Sequence, residues 1–169
     1  MAKIVIINGS GGTGKDTFCK LCAKHMKIKN ISSVQEIKEI AKVLGWGGSK
    51  TEKDRKFLSD LKLLSTEYNN RPLEMMMNEV RKYKHFDIIL FFHIREPQEI
   101  SKMVESLNGE CTTLLIKNDR VKDIDTNMAD ANVYKYPYDA IIYNNGSIEL
   151  LNEIAEGFVK CLIDKKEDY

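Results

Sequence analysis

Residues 3–17 read KIVIINGSGGTGKDT, and this stretch decides the fold. Residues 3–8 are a short, continuous apolar run rich in isoleucine and valine, which is typical of a β-strand buried on both faces of a parallel sheet. A glycine-rich turn follows and opens a helical pattern from about Gly14 to Met26. A strand, a glycine-rich loop and a helix in this order predict a place where backbone N–H groups and the positive end of a helix bind phosphate.

The loop fits the pattern G-x-x-x-x-G-K, in which each fixed residue has a physical role. Glycines let backbone N–H groups curl around phosphate oxygens, and Lys15 supplies a mobile positive charge for the β- and γ-phosphates of a nucleoside triphosphate. A glycine-rich turn with an incidental lysine is the alternative, but the preceding strand and following helix favour ATP binding. The predicted nucleotide-binding residues of this loop are Gly9, Gly11, Gly12, Thr13, Gly14, Lys15, Asp16 and Thr17.

The residue after Lys15 departs from the usual pattern, because Asp16 stands where a serine or threonine hydroxyl normally contacts Mg²⁺. Thr17 follows one place later. A carboxylate can hold Mg²⁺ directly or through water, since this ion prefers oxygen ligands and retains several waters. The alternative is that Asp16 only stabilises the N-terminus of the helix through its dipole. Both interpretations stay open, and Asp16 and Thr17 are the candidate metal ligands.

The rest of the chain alternates strand and helix patterns. Further strands are predicted over residues 31–34, 86–93, 112–116 and 140–143. Further helices are predicted over residues 36–44, 51–68, from there to about Tyr83, 97–107 and 147–162. This alternation predicts parallel βαβ units, and therefore a three-layer α/β domain with a parallel sheet of about five strands. Residues 1–169 contain no internal repeat or linker, so we expect a single domain.

Composition restricts the classes of partner. The chain has 26 lysines and arginines against 25 acidic residues, for a net charge of +1. This balance argues against a broad surface for nucleic acid or for an anionic membrane. No stretch approaches the roughly 20 apolar residues that span a bilayer, so we predict no membrane partner.

Two of the four cysteines, Cys19 and Cys22, form a C-x-x-C pair that could be redox-active or half of a zinc site. They fall inside a predicted helix, and no second pair of cysteine or histidine residues lies at metal-ligand spacing. We therefore interpret them as reduced residues on an apolar helix face. Reduced cysteines favour a cytoplasmic location.

The run Gly14-Lys15-Asp16-Thr17 resembles the loop of phage-type deoxynucleoside monophosphate kinases and of animal-type phosphomevalonate kinases. More widely, it is similar to the loops of P-loop nucleoside monophosphate kinases. The resemblance implies a P-loop kinase-like fold and phosphoryl transfer from ATP with Mg²⁺ to a small phosphorylated acceptor, preferably a nucleoside or deoxynucleoside monophosphate, by a monomer or homodimer. A non-nucleotide phosphate as acceptor and a nucleotide-binding regulatory module without kinase turnover remain as alternatives.

The end of the third strand carries further candidates, because ligands of parallel α/β sheets bind beyond the carboxyl ends of the strands. Residues 93–97 resemble the Asp-Val-Arg stretch that follows this strand in the related kinases. The resemblance implies that Arg95 is catalytic and clamps a phosphate by bidentate contact. Its alternative is a surface salt bridge with Glu99. The aspartate of those kinases is His93 here, which we interpret as a hydrogen-bonded structural residue.

The resemblance also implies that a helical insertion over residues 45–85 binds the acceptor. Arg55 and Arg71 are the candidates for its phosphate, with Lys53 behind them. Trp46 is a candidate for stacking on a base, and a packing anchor is the alternative.

Related kinases place a lid after the fourth strand, and residues 117–137 stand at that position. Arg120 is the candidate catalytic arginine of this lid-like segment. Asn145 lies between the last strand and the last helix, where the resemblance implies contact with the adenine edge. A plain turn and helix cap is its alternative.

Overall fold

The computed structural model describes residues 1–121 and 132–164. The strands are β1 (Lys3–Asn8), β2 (Ile28–Ser32), β3 (Ile89–His93), β4 (Thr112–Lys117) and β5 (Ala140–Tyr143). They form one sheet in the order β2-β3-β1-β4-β5, and every neighbouring pair is parallel. The predicted α/β class with a parallel five-stranded sheet is confirmed. The carboxyl ends of all five strands therefore lie at one edge, which we call the ligand edge.

The helices are α1 (Lys15–Cys22), α2 (Gln35–Val43), α3 (Glu52–Asn69), α4 (Arg71–Tyr83), α5 (Pro97–Ser106) and α6 (Ile148–Asp164), with a short 3-10 helix at Val133–Lys135. Helices α1 to α5 connect β1 to β4 in chain order, and α6 follows β5. Three of them, α2 to α4, lie between β2 and β3 along the chain. The predicted insertion over residues 45–85 therefore corresponds to α3, α4 and the segments that flank them.

The sheet is covered on both faces, which explains its continuous apolar strands. On one face, Val5 and Ile7 of β1 pack with Phe18 of α1 and with the apolar side of α6. On the other face, Ile6 packs with Met76 of α4 and with α5. Neighbouring residues of one strand thus enter opposite cores, because successive side chains of a strand alternate between faces.

The end of α1 and the start of β3 differ from the predictions. The first helix ends at Cys22, one turn early, because the following residues form turns in which, for example, the His25 N–H donates to the Cys22 carbonyl at 3.0 Å. β3 begins at Ile89 and not at Phe86. The Phe86 ring instead packs edge-on against Tyr83 at the end of α4, with ring centroids 5.5 Å apart.

β2 was predicted over residues 31–34 and lies instead at Ile28–Ser32. The polar residues Lys29 and Asn30 interrupt the apolar run that would have predicted this strand. Within the described residues β2 is an edge strand that pairs with β3 alone, so polar side chains are tolerated on it. Lys29 forms an ion pair with Glu79 of α4, which satisfies its charge.

Helix α3 is present where the amphipathic pattern predicts it, and Phe57, Leu58 and Leu61 on one of its faces are half-buried. Its N-terminus is a capping box, in which Thr51 Oγ1 accepts from the Asp54 N–H at 3.2 Å and the Asp54 carboxylate accepts from the Thr51 N–H at 3.0 Å. None of its side chains is fully buried, and Leu64 is 64% exposed. The helix therefore lies on the surface of the domain.

The interpretation of Cys19 and Cys22 as core residues is confirmed, since both are buried in α1. Burial raises the pKa of Cys22 to about 12 and that of Cys19 further, so both remain protonated thiols. Over residues 1–121 and 132–164, no group of three or more His, Cys, Asp or Glu side chains could hold a metal ion. No helix in those two ranges is long and apolar enough to cross a membrane.

Candidate active site

The phosphate loop joins β1 to α1 in a backbone conformation that requires glycine. Positive φ angles occur at Gly9 (148°), Gly12 (83°) and Gly14 (97°). A Cβ at Gly9 would collide with the carbonyl oxygen of Ile116, and one at Gly14 would collide with the side-chain amide of Asn144. A Cβ at Gly11 would meet no atom within 4 Å, so the crown of the loop faces open space. The loop is therefore held from β4 and β5 while its outer backbone stays accessible.

The Lys15 side chain lies back across this loop. Its Nζ donates to the carbonyl of Gly9 and, at 3.3 Å, to that of Ser10. Thr13 Oγ1 donates to the same Ser10 carbonyl at 2.9 Å, which closes the turn. Intrahelical bonding begins at the Phe18 N–H, which donates to the Gly14 carbonyl at 2.8 Å. The ammonium group and the N-terminal N–H groups of α1 thus converge on one concave surface.

Asp16 and Thr17, the candidate metal ligands, lie exposed in the first turn of α1. An exposed carboxylate beside the phosphate loop fits Mg²⁺, which is usually held by one or two carboxylates together with substrate phosphates and water. The metal role of both residues stays a prediction.

His93, at the end of β3, lies within electrostatic range of this turn. Its pKa is lowered, chiefly by burial, while Asp16 partly opposes the shift and Lys15 adds to it. Its Nε2 is 2.9 Å from Asn30 Oδ1 of the neighbouring β2, and because that oxygen only accepts, Nε2 carries the proton. His93 is thus a hydrogen-bonded residue at the end of β3, with a lowered pKa.

The segment after β3 is attached to the sheet through its backbone. The Arg95 carbonyl accepts from Asn8 Nδ2 at 3.0 Å. Glu99, the alternative partner that the sequence suggested for Arg95, pairs with Lys62 of α3 at 2.5 Å. Lys62 Nζ also lies 3.5 Å from the hydroxyl of buried Ser33, directly after β2. This cluster joins α3 to the ligand edge near the ends of β2 and β3.

The acceptor candidates have different local surroundings. Arg71, at the start of α4, forms a two-point ion pair with Glu36 in the first turn of α2, at 2.9 Å and 2.5 Å. Arg55 and Lys53 are exposed in the first turns of α3. Trp46 Nε1 donates to the Ser49 carbonyl at 3.2 Å, as a packing anchor would. The structure thus places Arg71 beside α2, whereas Trp46, Lys53 and Arg55 lie before α3 or in its first turns.

Arg120 and Asn145 come together, although 25 residues separate them. A guanidinium nitrogen of Arg120 donates to the Asn145 carbonyl at 2.8 Å. The Asn145 side chain accepts from the Asp119 N–H at 2.9 Å and donates to the Asp119 carboxylate at 2.7 Å. These bonds join the loops after β4 and β5. Residues 122–131 of the predicted lid-like segment 117–137 lie outside the described residues.

No protein-family model matches this sequence, and no curated protein matches it. Among solved structures, the chain is similar to shikimate kinase from Acinetobacter baumannii in complex with shikimate (TM-score 0.56, 10% identity, 99% of this chain and 97% of that one). It is also similar to a gluconokinase from Sinorhizobium meliloti 1021 (0.52, 9%, 96% and 94%) and to TT1252 from Thermus thermophilus (0.53, 18%, 98% and 98%). The chain has a P-loop kinase-like fold. Identities this low establish the fold alone.

Sequence reasoning missed several residues that organise the ligand edge of this P-loop kinase-like fold. Asn8 and Lys62 are the clearest, since one ends β1 and the other connects α3 to β2 and α5. Asn144 is a third, because its amide donates to the Thr13 carbonyl at 2.9 Å and supports the phosphate loop from β5. The available signal for Asn8 and Asn144 was a polar residue directly at the end of an apolar strand. Lys62 had no such signal among the lysines of α3.

Proposed function

We propose that this chain transfers the γ-phosphoryl group of ATP, bound with Mg²⁺, to a small phosphorylated acceptor, and that the acceptor is a nucleoside or deoxynucleoside monophosphate. The phosphate loop carries the proposal. Gly9 and Gly14 are sterically required, the crown of the loop is open, and the Lys15 ammonium lies across it at the N-terminus of α1. Backbone N–H groups, a helix dipole and one mobile cation at a single concave surface are the equipment for binding a polyphosphate.

On the donor side, Lys15 would contact the β- and γ-phosphates and hold the charge that develops on the transferred group. Asp16 and Thr17 would hold Mg²⁺, which when bound supplies charge neutralisation between those phosphates. The linked loops of Arg120 and Asn145 lie beyond β4 and β5 and would border the base. Catalysis of this kind rests on positioning and charge, so it needs no strong general base when the acceptor is already a phosphate.

On the acceptor side, Arg71, Arg55 and Lys53 would attract the acceptor phosphate and Arg95 would contact the group in transfer. Arg71 is bound to Glu36, so an acceptor phosphate would compete with that carboxylate for the guanidinium. Trp46 would contribute to the acceptor pocket through its ring, since its Nε1 already has a partner.

A second candidate function is nucleotide binding without turnover. His93 favours it, because an imidazole that donates to Asn30 supplies no anionic oxygen for a metal at the end of β3. A kinase of a non-nucleotide phosphate is the third candidate. The resemblance of the loop to phosphomevalonate kinases supports it.

One assay separates these candidates: ADP release coupled to absorbance, with ATP, Mg²⁺ and a panel of nucleoside, deoxynucleoside and non-nucleotide monophosphates. Lys15→Ala removes the loop cation, and Lys20→Ala, an exposed lysine of the same helix, is the matched control. We expect acceptor-dependent release that falls at least roughly a hundredfold in Lys15→Ala, the scale of a lost transition-state contact, and is unchanged in Lys20→Ala.

Other outcomes of this assay favour one of the other two candidate functions. ATP binding without release for any acceptor favours the regulatory module, and release only with non-nucleotide phosphates favours the third candidate. A wild-type protein that binds no ATP, or a Lys15→Ala variant with unchanged affinity and activity, would falsify the phosphate-loop hypothesis.

A further inference from the structure

Asn8, the last residue of β1, is buried with only 1% of its surface exposed. Every hydrogen-bonding direction of its amide nitrogen is used. Nδ2 donates to the Arg95 carbonyl at 3.0 Å and to Tyr138 Oη at 2.8 Å, while Oδ1 accepts from the Gly9 N–H at 2.8 Å. One side chain thus joins the first residue of the phosphate loop, the segment after β3 and the segment before β5.

Tyr138 continues the network away from the sheet. Its hydroxyl accepts from Asn8 and donates to the Val133 carbonyl at 2.7 Å, so both of its roles are assigned. Burial raises the pKa of Tyr138 to about 12, which keeps that proton in place at any working pH. In the same segment, the Tyr134 hydroxyl lies 3.2 Å from Ser10 Oγ in the phosphate loop. Residues 133–138 therefore touch the loop as well as Asn8.

The chemistry of this position requires an amide. A carboxylate of the same shape would still accept from Gly9 but could not donate to Arg95 or Tyr138. An aliphatic side chain could neither accept from Gly9 nor donate to the other two residues. Because the Gly9 N–H donates to Asn8, it does not bind phosphate, and the phosphate-binding N–H groups begin later in the loop. Asn8 thus sets the start of the loop and the position of the Arg95 backbone at the same time.

We propose that Asn8 and Tyr138 are positioning residues, which hold the Arg95 backbone in register with the phosphate loop so that the cations of Lys15 and Arg95 meet on one transferring group. The inference rests on the proposed function and adds to it two residues that do not touch substrate. A displacement of about 1 Å in a catalytic group can cost roughly a hundredfold in rate. A buried three-way hydrogen bond is a direct means of preventing such a displacement.

The test is a set of substitutions read by kcat, by KM for ATP and by melting temperature. Asn8→Asp removes both donated bonds, and Tyr138→Phe removes one hydroxyl and leaves the Asn8–Arg95 bond in place. Thr113→Val is the matched control. Thr113 is also buried, and its Oγ1 bonds to Asp139 at 2.8 Å near the amino end of β4, which is the end away from the ligand edge. Each substitution is also made in an Arg95→Ala background.

We expect kcat to fall by about a hundredfold in Asn8→Asp and about tenfold in Tyr138→Phe, with KM for ATP within about threefold of wild type. Thr113→Val lowers the melting temperature and leaves kcat unchanged. In the Arg95→Ala background, Asn8→Asp and Tyr138→Phe lower kcat no further, since no guanidinium remains to be positioned. If Asn8→Asp does not fold, Tyr138→Phe decides alone.

A purely structural role predicts a different pattern: lower melting temperatures with wild-type kcat, or kcat losses that multiply with that of Arg95→Ala. Either pattern overturns the inference, as does an Arg95→Ala variant with wild-type kcat. Failure of the proposed function is distinguishable, because it appears in the wild-type protein as absent acceptor-dependent ADP release, and the positioning inference then falls with it.

Discussion

Lys62→Met tests what holds the exposed helix α3 on the domain. This helix buries no side chain fully, and the ion pair between Lys62 and Glu99 of α5 is its least exposed charged contact, at 17% and 25% side-chain exposure. Methionine keeps the length and the apolar stem of lysine and removes only its charge. The substitution leaves Glu99 without its cation in a largely desolvated place.

The expected loss of stability in Lys62→Met lies between two known limits. Exposed ion pairs contribute about 0.2–1 kcal/mol, and breaking a fully buried pair costs about 3–5 kcal/mol. For a pair that is mostly buried at both ends, we expect a loss of about 1–3 kcal/mol in the free energy of unfolding. This corresponds to a fall of roughly 2–10 °C in Tm for a domain of this size.

The assay is urea unfolding at constant pH, with Lys56→Met as the control on the same helix. Lys56 pairs with Asp60 at 2.9 Å, but the two side chains are 76% and 61% exposed. We expect that control to change the free energy of unfolding by less than about 0.5 kcal/mol. If the two variants are equally stable, the Lys62–Glu99 pair does not hold α3, and our reading of this contact is wrong.

Three further predictions concern metal, acceptor and pH. Asp16→Ala should raise the Mg²⁺ concentration for half-maximal activity and Asp16→Ser should restore much of it, whereas equal magnesium dependence in all three proteins would leave Asp16 as a helix-end residue. Arg55→Ala and Arg71→Ala should raise the acceptor KM by roughly ten- to a hundredfold with little change in KM for ATP, and two unchanged acceptor KM values would place the acceptor elsewhere. Because burial lowers the pKa of His93, the unfolded chain binds more protons below about pH 6.5, so stability should fall as the pH drops through that value towards the lowered pKa. His93→Gln should flatten this dependence in unfolding titrations; a slope that survives His93→Gln would assign it to another group.

Much of the fold was predictable because it follows from local sequence patterns. The apolar run of β1 and the spacing of its glycines and Lys15 predict strand, loop and helix within fifteen residues, and the structure has them there. The predicted bounds of β5, Ala140–Tyr143, agree with the structure. The predictions failed where tertiary pairing outweighs local pattern. β2 is a strand despite Lys29 and Asn30, because β3 offers it a complete ladder and α4 supplies a partner for the lysine.

The candidate site divides in the same way. The conformation of the loop could be predicted from sequence, since glycine spacing indicates backbone shape directly, and its role in phosphate binding stays a prediction. The burial of helix α3 could not be predicted from its apolar spacing, because amphipathic periodicity indicates a helix and not how deeply that helix is buried. Its exposed Leu64 shows the difference.

The sequence by itself determined a parallel α/β domain with a phosphate loop after its first strand, since those features follow from side-chain periodicity and backbone freedom over a few residues. Only the tertiary structure decided which distant side chains meet. Asn8 reaches the Arg95 carbonyl across 87 positions and Tyr138 across 130, Arg71 binds Glu36 across 35, and Lys62 binds Glu99 across 37. Strand order and helix packing set these contacts, and neither is recorded in the local pattern of any one segment.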